Sequence, residues 1–572
     1  VAHLMPMPMP MPMLDLDESR ERILASDGHI VIQGGPGCGK TTIALLKASN
    51  SASLLPLESY VLFLSFSRAA VRQVQDRMKD LVIDDVAAHL EIRTFHSIFI
   101  EIVLAHARLI NGKEPRIVWP DEEKREQSIW GKDWPSRIGL LRQDGTLFFS
   151  DLAATVATIF ERFPGIAALY SARYPFVFVD EFQDTDEGQW RVILALSKAS
   201  TVVCLADPDQ RIFDYIPGVD ESRLPLAIDA LGAEVFDLGG DNHRSPNSQI
   251  LHFANSVLKN LPCAYSDDVK EVLYYSGTPD ASIHLQVQQL LNSGNETVAV
   301  LTRTNSGAVS ASDAIASLRT VSNTLTLPPI EHQLYWDPAL AAAAGLVVAS
   351  ILEWPLLERA TGIDATLRLV GDYFRIKAAG GNLGAAKTVP KVERARDAIA
   401  SGRRPRSGLG SRLWENYSFV TAYGGVATVD WQVALAQLIG AAELLEVQRQ
   451  ARLVKLLKAT DALSWILAEV WDGERGYRRA AETLAETFAD DVVSDSDPNQ
   501  SAVSVMTMHK SKGKEFDATI IVEGRYSRPL VKIGDKDESA DRRLLRVAIT
   551  RAKRQVIFVR PAGTPSFVPD SL

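Results

Sequence analysis

The sequence predicts an α/β protein made of two α/β cores, each interrupted by a mostly helical insertion. Three observations carry this. Short β-branched or aromatic runs alternate with helical stretches near residues 30–80 and 176–207, the pattern of βαβ units and a parallel sheet. The same alternation returns from about residue 239 and again after 500. Between these stretches, 99–164 and 346–499 read as mainly helical.

The first strand is Ile30–Gln33, followed by a Gly-rich turn and an apolar helix from about Lys40. A second strand, Val61–Leu64, leads to a helix at Ala69–Met78. Two further apolar runs follow, Phe176–Val179 ending at Asp180 and Val202–Leu205 ending at Asp207. Ligands of such sheets bind beyond the carboxyl ends of the strands, and the polar motifs are expected there. Residues 99–164 carry tryptophans and read as an insertion. In the second region the strand candidates are Ile283–Val287, Val298–Thr302, Val503–Met508 and Thr519–Val522. Residues 427–471 show long apolar periodicity with Arg and Lys on the other face, and Asp490–Gln500 reads as an acidic linker. Residues 5–13 alternate Met and Pro, which cannot form a helix, so residues 1–13 are expected to be a disordered leader outside the fold.

A formal charge of −10 argues against a bulk-basic nucleic-acid coat protein. Positive charge is instead local. Residues 501–560 hold 14 Lys+Arg against 7 Asp+Glu, and residues 381–420 hold 8 against 3. A confined basic track predicts nucleic-acid affinity that falls steeply with salt. Three cysteines without a CxxC pair give neither a disulfide framework nor a zinc site, which suits a reducing cytoplasm. The longest apolar run, Ala339–Leu352, is shorter than the ~18–20 residues of a membrane span, so no membrane partner is expected.

Gly34-Gly35-Pro36-Gly37-Cys38-Gly39-Lys40-Thr41 follows a strand and opens a helix, the context of a phosphate-binding loop. Glycines turn backbone N–H groups toward phosphate oxygens, and the helix amino terminus adds a positive end. Lys40 is expected at the β/γ-phosphates of ATP and Thr41 on Mg²⁺, with Thr42 beside them. The strand Phe176–Val179 ends in two carboxylates: Asp180 is placed for Mg²⁺ and Glu181 as the base for the attacking water. Gln183 suits sensing of the γ-phosphate, since an amide reports without adding charge.

With these motifs stand DEFQDT at 180–185, ADPDQRIF at 206–213, NHRS at 242–245, VMTMHKSKGKEFD at 505–517 and RRLLRVAITRAK at 542–553. In this order, from about Leu14 to Arg560, the chain resembles superfamily 1 DNA helicases of the UvrD/Rep/PcrA group. The resemblance implies two RecA-like P-loop NTPase cores. Core 1A would be 14–98 and 165–238 with insertion 1B at 99–164, and core 2A would be 239–345 and 500–563 with insertion 2B at 346–499. It further implies ATP between the cores, single-stranded DNA across their top, and 3′-to-5′ movement. Gln210 would couple the γ-phosphate to DNA, and Arg244 and Arg551 would reach that phosphate from the opposite core. Lys512 and Gly513 match the family's phosphate-proximal pair, and Glu515 its nucleotide-contacting glutamate.

For DNA the resemblance singles out Ser65, Phe66, Thr94, Phe95, His96, Phe213, Tyr215, Thr507 and His509. Phe66, Phe95 and Phe213 are also ordinary core residues by type, and His509 suits a structural role equally. Three departures stand out. Ser19 replaces the adenine-reading glutamine, His243 the base-stacking aromatic, and Arg546 a common tyrosine. The basic loop 402–408 could grip duplex phosphates or be a solvated loop. Two functions follow from the resemblance: an ATP-dependent translocase acting at ss/dsDNA junctions in repair, replication or anti-phage defence, or a DNA-gated ATPase serving as sensor in a complex with a protein partner.

Overall fold

The computed structural model describes residues 16–569 except 57, 67, 82–83, 119–122, 124–129, 131–132, 215, 217, 240–248, 276, 323–324, 336–337, 380–382, 407, 421–426, 452–466, 468–469, 474–475, 485–500 and 526. The leader and the linker 490–500 lie outside these residues.

The first core is a six-stranded parallel sheet. Its first three strands are β1 (Ile30–Gln33), β2 (Val61–Ser65) and β3 (Leu90–Thr94). A separate two-stranded sheet, β4 (Arg116–Val118) and β5 (Thr146–Phe148), follows. The chain then returns with β6 (Phe176–Val179), β7 (Thr201–Ala206) and β8 (Glu234–Asp237). The spatial order is β3-β2-β6-β7-β1-β8. β2 therefore lies between a strand made before residues 95–175 and one made after them. These residues interrupt a single sheet. Continuous apolar runs such as Ile30-Val31-Ile32 are buried on both faces, as parallel strands under helices must be.

The second core repeats the plan with β9 (Val269–Tyr274), β10 (Val298–Thr302), β13 (Gln333–Tyr335), β14 (Val503–Thr507), β15 (Phe516–Val522) and β16 (Ala552–Pro561). Before β13, β11 (Arg319–Ser322) and β12 (Leu325–Leu327) form their own hairpin. The sheet order is β13-β14-β10-β15-β16-β9, all parallel. β13 pairs directly with β14, so the helical segment that starts at Pro338 leaves the sheet after one strand and returns to its neighbour. That segment has its own core, around Trp354, Tyr373 and Trp431. Trp354 Nε1 donates to Thr366 Oγ1 at 2.9 Å, satisfying the indole inside the bundle.

One predicted strand is a helix. Ile283–Val287 lies within the helix Asp280–Asn292, which buries Ile283, Val287 and Leu290. Those three are spaced four and three apart, so they share one helical face; the β-branched residues were misread as a strand. Among the described residues no single helix is long and apolar enough to cross a membrane.

Candidate functional site

After β1 the chain turns through Gly34–Gly39 into the helix Lys40–Ala52. Gly37 and Gly39 have φ of 81° and 88°, a left-handed conformation that glycine takes without steric cost. Lys40 Nζ donates to the carbonyls of Gly34 at 2.6 Å and Gly35 at 3.0 Å. Within the loop Cys38 is buried, while Thr41 and Thr42 line the cleft.

β6, β7 and β1 are neighbours, so the turns after them converge on this loop. Asp180 follows β6, and its Oδ1 accepts the N–H of Glu181 at 3.0 Å. Glu181 itself has φ 52°, a left-handed backbone that costs a non-glycine residue about 1–3 kcal/mol and occurs most at functional sites. Gln183 Nε2 donates to Glu181 Oε2 at 2.6 Å, and its Oε1 accepts the N–H of Asp207 at 3.0 Å. Both ends of this amide are held by protein, which sets Gln183 between Glu181 and the turn after β7.

The opposite wall comes from the second core. Glu515 and Arg551 precede β15 and β16, whose first residues are in register. The turn after the carboxyl end of β14 lines the cleft with His509, Lys512 and Gly513, while Glu515 and Arg551 stand at amino ends, so the expectation that all polar motifs sit at carboxyl strand ends is corrected for these two. Lys512 crosses to the first core, where Nζ donates to Asp184 Oδ2 and, at 2.7 Å, to the Gln210 carbonyl. Its Nζ lies 3.6 Å from Glu181. Arg551 Nη2 donates to Gln210 Oε1 at 2.9 Å. Arg77 of the first core pairs with Glu515 at 3.1 Å. Arg77 belongs to none of the sequence motifs, and no local pattern announces a pair 438 residues apart. Gly513 lines the same cleft of about 1100 Å³.

Charge is unevenly held here. Burial, then the neighbouring Glu181, pushes Asp180 up to about 7. Burial also raises Glu181, but Lys512, Lys40, the Gln183 amide and Arg551 outweigh it, so Glu181 stays below the usual carboxylate range. Burial pushes Asp184 up to about 6 against the pull of Lys512. Lys512 is lowered by burial yet raised further by Asp184 and Glu181, and it ends above its ordinary value.

The two cores also meet through packing. Ile212, from the first core, is buried in the second core's cluster with Phe253 and Leu545, and Phe213 packs on the same cluster. Lys512 Nζ lies 5.6 Å from the Phe213 ring centroid.

On the expected DNA side, Ser65 ends β2, and its buried Oγ has no hydrogen-bond partner among the described residues. Phe66 lines the cleft and packs on Phe95 at 5.2 Å. Phe95 is 1 % exposed within the first core, which corrects it from stacking platform to core residue. Its side chain points inward because it opens the helix Phe95–His106 on that helix's apolar face. Thr94 caps this helix, accepting from the Ser97 N–H at 3.2 Å. His96 stacks on Phe149 at 4.4 Å, and its pKa is lowered by burial. Thr507 accepts from the Lys510 N–H at 3.4 Å, and His509 lines the cleft with its pKa lowered by burial and then Arg303. Arg244, His243 and Tyr215 lie outside the described residues.

Two family models match. The UvrD/Rep helicase N-terminal domain covers residues 16–135 and 139–218, and the UvrD-like helicase C-terminal domain covers 431–560. Together they take in more than half of the 572-residue chain. The chain belongs to the UvrD/Rep helicase family. It is an ATP-hydrolysing helicase of UvrD type with two RecA-like cores. Among curated proteins it is similar to the ATP-dependent DNA helicase PcrA of Staphylococcus aureus (strain MRSA252), 21% identical over 95% of this chain and 83% of that protein. The PcrA helicase of Bacillus subtilis (strain 168) is 22% identical over 94% of this chain and 81% of its own length. PcrA of Staphylococcus epidermidis matches more locally, 23% identical over 42% of this chain and 40% of its own.

Ser19, which the resemblance sets at the adenine-reading position, is exposed on the helix Glu18–Ala25, and its neighbour Arg20 donates to the Cys38 carbonyl of the glycine-rich loop at 2.9 Å. A serine cannot make the paired amide contacts by which glutamine reads an adenine edge, and a bidentate base contact contributes about 1–3 kcal/mol of discrimination. Hydrolysis of ATP and GTP is therefore expected to differ by less than about tenfold in kcat/KM. A strong ATP preference in a side-by-side assay would contradict this.

Proposed function

We propose that the chain is an ATP-dependent motor that moves 3′ to 5′ along single-stranded DNA and separates strands at ss/dsDNA junctions. The observation that supports an ATP-driven motor is the crossing of the cleft by Lys512 and Arg551; the direction of movement follows the family resemblance. Each joins a group of the second core to the hydrolytic turns of the first, Asp184 and Gln210. Hydrolysis and inter-core closure are then one event, which is how a bound nucleotide becomes domain motion.

In this reading Lys40 and the loop N–H groups bind the phosphates, Glu181 takes the proton of the attacking water, and Gln183 holds Glu181 in line. Arg551 and Arg244 neutralise charge on the γ-phosphate. The hydroxyl of Thr41 and the carboxylate of Asp180 both face the cleft and are hard oxygen donors of the kind Mg²⁺ takes. Mg²⁺ there would offset phosphate charge. Phe213, partly buried on the second core, and Phe66 are the described aromatics kept for bases, with Tyr215 beside them by sequence. Ser65, Thr94, His96, Thr507 and His509 are kept for the strand, and the buried hydroxyl of Ser65 supports a polar ligand at that place. The division into 1A, 1B, 2A and 2B is carried over with the boundaries given above. The setting we infer is the cytoplasm or nucleoid, in repair, replication or defence.

Strand displacement tests the reading. The chain is expected to unwind a 3′-tailed duplex and not a 5′-tailed one, with Lys40→Ala inert on both. DNA-stimulated hydrolysis with no displacement on either substrate would favour the sensor ATPase instead.

A further inference from the structure

The helix Glu538–Ile549 of the second core lays Arg543 and Arg546 against the first-core turn that follows β7. Arg543 pairs with Asp214 and donates to the Arg211 carbonyl at 3.1 Å. Arg546 lies deeper, 3 % exposed. Its Nε donates to Asn255 Oδ1 at 3.1 Å, while Nη1 stands 3.6 Å from Asp207 and Nη2 3.7 Å from Asp209. Asp207, equally buried, is already committed. Its Oδ2 accepts Gln210 Nε2 at 2.7 Å and its Oδ1 the Asp209 N–H at 3.0 Å. Gln210 in turn accepts from Arg551. Arg551 Nε reaches back to the Val547 carbonyl at 3.1 Å, one residue past Arg546. Arg546 Nη1 makes no hydrogen bond among the described residues, so its link to Asp207 is one of charge; from Asp207 hydrogen bonds run to Gln210, Arg551 and back to the second core.

A guanidinium this deep is tolerable only beside carboxylates, and it loses them if the cores part. A tyrosine, which the family resemblance places here, would carry no such charge. We propose that Arg546 is a positioning residue. Through Asp207 it fixes the Gln210 amide and so aims Arg551 at the cleft. Opening the cleft parts Arg546 from Asp207 and Arg551 from Gln210 in the same movement. The inference rests on the reading of this cleft as the seat of ATP hydrolysis.

A double-mutant cycle on the full chain decides it. Arg546→Met keeps the stem and removes the charge; Asp207→Asn keeps an oxygen for Gln210 and removes the charge. Arg546→Met is expected to lower DNA-stimulated kcat about tenfold, within the range of couplings between contacting residues, with KM for ATP within about twofold. Arg546→Lys should restore most of the loss, and the double variant should be no slower than the slower single variant. Independent, multiplying losses would overturn the proposal. So would an unchanged kcat in Arg546→Met, or equal failure of the Lys and Met variants with an equal fall in melting temperature. If the unsubstituted chain hydrolyses no ATP, the functional reading fails alone. The cycle is then read in melting temperatures, where non-additive shifts uphold the Arg546–Asp207 link and additive shifts overturn it.

Discussion

Arg551→Lys is expected to lower kcat for ATP by about 10³-fold or more, the lower range for loss of an arginine that reaches the transferring phosphoryl group. Charge is kept, so the effect isolates geometry. Arg551 is buried and spreads its guanidinium over three acceptors, the Val547 carbonyl, the Lys514 carbonyl and Gln210 Oε1. A lysine is a point charge on a flexible stem and cannot hold that fork. Steady-state hydrolysis beside a thermal melt checks it. A loss of rate with an intact melt supports the role in the transition state, whereas a rate within a few-fold of the parent would remove Arg551 from it.

Glu181→Gln should lower kcat by about 10²–10⁴-fold, the usual contribution of a positioned general base, while leaving nucleotide binding within a few-fold. The amide is nearly isosteric and can still accept from Gln183, so the strained turn at Glu181 stays supported. It cannot take a proton from water. Glu181 suits the role because Lys512, Lys40, Gln183 and Arg551 keep it ionised despite burial. Binding of a fluorescent nucleotide together with single-turnover hydrolysis separates the two effects. A Gln variant that hydrolyses at the parent rate would move the base elsewhere.

The parts of this site with a local grammar were legible in the sequence. A glycine-rich turn between an apolar strand and a helix announces itself within a dozen residues, as does a strand ending in Asp180 and Glu181. The cross-cleft pairs were not legible as contacts. Lys512 and Asp184 stand 328 residues apart, and Arg551 and Gln210 stand 341 apart. Motif order could name these residues, but only the folded cores bring them together. Arg546 read as a mere departure because its partners, Asp207 and Asp209, belong to the other core. The aromatic residues failed for a different reason. Residue type does not distinguish a ring under a helix from one facing a strand of DNA, and Phe95 proved to be the former. β16 escaped notice because it begins Ala552-Lys553-Arg554-Gln555, polar residues that hide the apolar run after them.

The most direct measurement is ATP hydrolysis by the full chain with and without single-stranded DNA, at several salt concentrations. Coupling across the cleft predicts that DNA raises kcat, that Lys40→Ala abolishes the rise, and that the DNA concentration giving half the effect climbs steeply with salt. Equal rates with and without DNA would contradict it.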